Sequence, residues 1–131
     1  MLKGGCFCGA VRYEAEGDPW HETVCHCSIC RRTTGAPIVA WFTVRTGDFR
    51  IVAGEPVRFR SSTAATRTFC GACGTALAFQ ADDHPAEIDV TTGSLDDPER
   101  LPPKSHTWRA SGLSWVKSAD GLPSYPAKRP D

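Results

Sequence analysis

Apolar positions along this chain recur mostly in short runs with a period of two, broken by glycine or proline. Successive side chains of a strand point to opposite faces, so the pattern predicts strands rather than helices. The runs fall at residues 10–14, 38–43, 49–53, 57–61, 66–69, 75–80 and 87–92. In Val57-Arg58-Phe59-Arg60 the apolar and basic residues take opposite faces. Helical signal is confined to two stretches. Ser28–Thr34 can form a turn with Ser28 as its cap, and residues 95–99 another, limited by Pro98. Proline recurs from Leu101 onward, and residues 123–131 read as a tail with little structure. The expected fold is mainly β, a single domain over residues 1–122 followed by that tail.

Composition narrows the function classes. With 131 residues, 40% of them hydrophobic, the chain can bury a core without disulfides. A formal net charge of +0 leaves no electrostatic footprint for nucleic acid or an anionic membrane. No apolar run approaches the roughly 20 residues that span a bilayer. Met1-Leu2-Lys3-Gly4-Gly5-Cys6 lacks the apolar stretch of a secretory signal, so a cytoplasmic location is expected.

In a reducing compartment clustered cysteines are metal ligands or catalytic groups more often than disulfides. There are seven, an odd number that divides naturally into four and three. Four thiolates close a tetrahedral zinc site, whereas three leave a position open. The clusters are Cys6-Phe7-Cys8, Cys25-His26-Cys27-Ser28-Ile29-Cys30 and Cys70-Gly71-Ala72-Cys73. In extended backbone residues i and i+2 share a face, so Cys6 with Cys8 and Cys25 with Cys27 can each reach one ion. Phe7 and His26 then point away. Spacing leaves two partitions open. One joins Cys27 and Cys30 to Cys70 and Cys73. The other joins Cys6 and Cys8 to Cys70 and Cys73 and leaves Cys25, Cys27 and Cys30 as a trio.

The chain resembles the glutathione-dependent formaldehyde-activating family. The resemblance is carried by Gly4-Gly5-Cys6-Phe7-Cys8-Gly9-Ala10-Val11-Arg12-Tyr13, by Cys25-His26-Cys27-Ser28-Ile29-Cys30-Arg31-Arg32 and by Phe69-Cys70-Gly71-Ala72-Cys73-Gly74-Thr75. Thr92-Gly93-Ser94-Leu95-Asp96-Asp97-Pro98, His106-Thr107-Trp108 and Trp115 extend it. It implies a β-tent fold, small antiparallel sheets organised around a structural zinc on Cys6, Cys8, Cys70 and Cys73. It also implies a second zinc on Cys25, Cys27 and Cys30, with an open position where chemistry occurs. The implied activity is that of a carbon–sulfur lyase, joining glutathione to formaldehyde or cleaving the adduct. The partner is then a small-molecule thiol or thiol–aldehyde adduct, the protein a monomer or homodimer.

Arg31 and Arg32 follow the trio and can offer forked hydrogen bonds to a substrate carboxylate. His106, in the His-Thr-Trp stretch, is a further candidate for the pocket wall. Two other classes fit the same cysteines: a zinc-built binding module without turnover, and a redox sensor using Cys25, Cys27 and Cys30 as reversible thiols.

Overall fold

The alternating runs pair into two sheets. The computed structural model describes residues 1–130; Asp131 lies outside the described residues. Strands β1 (Leu2–Gly5), β2 (Arg12–Ala15) and β5 (Phe49–Ala53) form a three-stranded antiparallel sheet in the order β1-β2-β5. The remaining strands are β3 (Trp20–Cys25), β4 (Val39–Arg45), β6 (Val57–Ser62), β7 (Ala65–Phe69), β8 (Ala76–Ala81), β9 (Glu87–Thr91) and β10 (Ser105–Thr107). They form a seven-stranded sheet in the order β10-β3-β4-β9-β8-β7-β6, antiparallel except where β10 pairs with β3. One α-helix, α1 (Ser28–Thr34), joins β3 to β4. The mainly β expectation holds, and no helix of the described residues is long and apolar enough to cross a membrane.

Period two gives the large sheet two different faces. Phe42, Val44 and Val90 point to one side and, together with Leu77 beside the register shift between β7 and β8, pack with Leu2, Tyr13 and Ala15 of the small sheet. That interface is the core. Phe42 has no exposed surface, and burying a side chain of its size contributes about 1.5–3 kcal/mol. Tyr13 crosses between the sheets, its hydroxyl 2.7 Å from Ser94 Oγ, and burial pushes its pKa up to about 12. The sheets approach so closely at Gly4 that a Cβ there would collide with the Tyr13 hydroxyl and the Ser94 carbonyl. Cys6 and Cys8 leave β1, and Cys70 and Cys73 join β7 to β8, so the first and third cysteine clusters meet where the two sheets meet.

Three strands have no counterpart in the periodic pattern. β1 carries two glycines, β3 is half polar and broken by a register shift between Trp20 and Thr23, and β10 is three polar or charged-capable residues. Helix α1 spans the expected residues, but its cap is Cys27 rather than Ser28: Cys27 Sγ accepts from the Cys30 N–H at 3.2 Å. The second helical turn lies at Pro98–Arg100, set by proline at the first turn of a short 3-10 segment. The expected tail is held against the body. The Tyr125 N–H donates to the His106 carbonyl, the Trp108 N–H to that of Ala127 and the Arg109 N–H to that of Tyr125.

Candidate functional site

The four sulfurs of Cys6, Cys8, Cys70 and Cys73 lie within 4.8 Å of one another, as do the three of Cys25, Cys27 and Cys30. Of the two partitions, the geometry is therefore the one that joins Cys6 and Cys8 to Cys70 and Cys73 and leaves Cys25, Cys27 and Cys30 as a trio. A tetrahedral zinc site with Zn–S bonds of about 2.3 Å needs sulfurs about 3.8 Å apart. Cys6 and Cys8 are at 3.6 Å and Cys8 and Cys70 at 3.8 Å, so the quartet fits such an ion. Backbone and hydroxyl groups favour the ligating thiolates. The Val11 N–H points at Cys6 Sγ from 3.2 Å. The Thr75 hydroxyl and N–H bring Cys73 down to about 5.

The trio is assembled at the end of β3 and the start of α1. Cys25 is the last residue of β3, Cys27 caps α1, and Cys30 lies one turn in. Cys25 and Cys30 are buried and Cys27 is half-buried, the most exposed of the three. Hydrogen bonds from the Cys25 and Cys30 thiols and from the backbone N–H groups of Cys30 and Ile29 hold Cys27 far below the usual thiol range. Cys25 is raised in turn, first by the Cys27 thiolate. The other two thiols are both pushed up, and a cation is what would let all three ionise together.

The trio stands at the wall of a cavity of about 450 Å³. Its floor is the second face of the large sheet. Arg67 opposes Phe79, Phe79 opposes Asp89 and Asp89 opposes Thr43, an unbroken row across β7, β8, β9 and β4. Trp41, two residues from Thr43, pairs with Thr23, and Cys25 pairs with Thr107 on the same face. Thr43 Oγ1 donates to Asp89 Oδ1 at 2.6 Å, yet burial still raises the Asp89 pKa. His21 and Trp108 also line the cavity, both with left-handed backbone at φ 54° and 55°. Non-glycine residues adopt that region at a cost and concentrate in it at functional sites.

His26 sits between two trio cysteines but faces away from them. Its Nε2 lies 2.9 Å from His106 Nδ1, and His106 Nε2 lies 2.8 Å from Asp120 Oδ2. With His106 neutral and donating Nε2–H to the carboxylate, its Nδ1 accepts from His26 Nε2–H, and His26 Nδ1, which has no hydrogen-bond partner, carries no proton. Burial, with Arg109 and His106 nearby, lowers the His26 pKa and keeps the ring neutral.

Among the residues expected to touch substrate, His106 is 2% exposed and lies behind the cavity wall, committed to His26 and Asp120. Arg31 and Arg32 occupy the last turn of α1 and are not part of the wall, whose cations are Arg67, Lys128 and Arg129. Pattern reading passed over Arg67 and Asp89. The available signal was parity: Arg67 shares a strand face with Ala65 and Phe69.

A profile described as glutathione-dependent formaldehyde-activating enzyme matches residues 1–111. A Halomonas elongata protein, provisionally named a glutathione-dependent formaldehyde-activating enzyme, is 29% identical over 126 residues, 89% of this chain and 80% of its own length. An uncharacterised lyase of Schizosaccharomyces pombe is 32% identical over 78 residues, 59% of this chain and 56% of its own. The crystal structure of a Rhodobacter sphaeroides protein superposes with a TM-score of 0.59 at 31% identity, covering 94% of this chain and 98% of that one.

Proposed function

Because the chain belongs to the glutathione-dependent formaldehyde-activating enzyme family, we propose that it makes or breaks the carbon–sulfur bond between a thiol such as glutathione and a small aldehyde such as formaldehyde. The observation that carries this proposal is the position of the trio: three clustered cysteines, Cys27 the most exposed, lining a cavity of about 450 Å³. The quartet closes a structural site, and Cys25, Cys27 and Cys30 would hold a second zinc. That ion would lower the pKa of an arriving thiol and stabilise the thiolate at neutral pH.

The chain's own residues supply the rest. In the forward direction the thiolate sulfur adds to the carbonyl carbon, and the carbonyl oxygen takes a proton from solvent to become a hydroxyl. The reverse returns thiol and aldehyde, with no net oxidation in either direction. Trp41 and Phe79 exclude water from the floor and strengthen the polar contacts there. Asp89 lies two strands from Arg67, about 10 Å across the sheet. A carboxylate there suits the ammonium end of a glutathione-like substrate, and Lys128 and Arg129 in the wall suit its carboxylates. Arg31 and Arg32 stand outside that wall.

The test is formation of S-hydroxymethylglutathione from glutathione and formaldehyde by zinc-loaded protein. Acceleration over the uncatalysed reaction is expected, lost by at least about 100-fold in Cys27→Ser. Serine is a good helix cap, so that variant should keep its fold. Equal rates with and without protein would rule out this substrate pair. Unchanged activity in the variant would remove the trio from the reaction.

A further inference from the structure

Arg67 is a buried cation without a carboxylate. It is 8% exposed and forms no ion pair among the described residues. Its Nη1 donates to Thr33 Oγ1 at 3.2 Å and its Nη2 to Cys30 Sγ at 3.6 Å. The guanidinium lies 4.9 Å from the Phe79 ring centre and 5.9 Å from that of Trp41. Its Nε is buried with no hydrogen-bond partner. Arginine stays charged in proteins, and an unpaired buried charge is strongly unfavourable. The cation–π contacts offset part of that cost, but they supply no counter-charge.

The counter-charge is available on sulfur. Three thiolates around a divalent ion sum to one net negative charge, and one guanidinium cancels it. Arg67 reaches this centre through Cys30, and Thr33 is bonded to the same guanidinium one helical turn further along α1. We infer that Arg67 is a positioning residue that sets the charge of the trio, so that its open position favours an anionic sulfur over neutral water. The inference rests on the proposed open trio site and adds a specificity element to it. Cys30 keeps its place as a ligand, while the guanidinium supplies the field that an arriving thiolate meets.

The experiment replaces zinc at the trio by cobalt and titrates the protein with glutathione, reading the rise in thiolate-to-cobalt charge transfer above that of the cysteine ligands themselves. Arg67→Met removes the charge and keeps much of the volume. Arg67→Lys keeps the charge but loses the fork. Wild type is expected to show that rise. Arg67→Met should need at least about tenfold more glutathione for half-saturation, as expected for losing a unit charge in a partly buried site. Arg67→Lys should stay within about threefold of wild type. Two bound metals per chain in each variant would establish that the framework is intact. Equal half-saturation in wild type and Arg67→Met would overturn the inference while leaving the open site standing. So would a fall in Arg67→Lys as deep as in Arg67→Met, which would make the role one of packing. No rise in wild type on adding glutathione would instead sink the open thiol-accepting site, and the inference with it.

Discussion

Asp89 is a carboxylate in the floor of a cavity, with Thr43 as its hydrogen-bond donor. Burial raises its pKa, so the folded protein holds that proton more tightly than the unfolded chain does. The sign follows from linkage: stability falls as pH rises from the unfolded value near 4 through the raised folded value, and below both the penalty is absent. Asp89→Asn should therefore raise the thermal midpoint at about pH 7, with the gain vanishing near pH 3, while raising KM for glutathione. Differential scanning calorimetry at both pH values, with initial-rate kinetics, reads the two halves. A lower midpoint at pH 7 would contradict it. The seven cysteines were legible at this scale because three tight clusters of thiols have metal-ligand spacing. Arg67 and Asp89 were not, because a charged residue on a strand reads as solvent-facing until the strand's partners fix its buried face.

At the scale of elements, β10 and the segment after it form a strap. Asp120 accepts from His106 Nε2, and backbone bonds from Tyr125, Trp108 and Arg109 continue the contact. The Leu122 N–H and then His106 hold the Asp120 carboxyl below its usual range. Its contribution is therefore present above about pH 4 and lost as pH falls through the folded value. In Asp120→Asn the amides of Trp108 and Tyr125 should exchange faster with deuterium at neutral pH, by about tenfold or less, since the backbone bonds remain. Unchanged exchange would mean that the carboxylate does not hold the strap. The sequence hid this element because proline-rich segments without alternation look unpaired. Here main-chain bonds rather than apolar burial do the holding. Strands 49–53 and 87–92 were legible, each a period-two run bounded by turn residues, and both lie within a residue of the observed bounds. Helix α1 was legible for its length and not its cap, since a cysteine capping a helix has no precedent in the usual cap preferences.

At the scale of the molecule, the two cysteine groups have unequal weight. Cys8 and Cys70 are 62 positions apart and join two sheets, so an ion held there restrains much of the unfolded chain. Structural zinc sites of this kind contribute on the order of 10 kcal/mol to folding. The trio closes only a turn between one strand and one helix. Elemental analysis should give two zinc ions per chain, falling to one in the Cys25→Ser, Cys27→Ser double variant with the thermal transition largely kept. Cys70→Ser should abolish cooperative unfolding; a transition that survived it would remove the quartet from its scaffold role. The division into four and three followed from the odd count, but thiol spacing permitted two pairings and only the resemblance favoured one. Distances between sulfurs choose one.

β7 bears Arg67 near its middle and runs directly into Cys70. Three residues of extended chain, about 10 Å, separate the guanidinium's backbone from the scaffold ligand. Failure in this protein is thus ordered. On the proposed reading, loss of an ion from the four-cysteine site would slacken the strand that delivers the guanidinium to the trio, whereas loss of an ion from the trio would leave that frame upright.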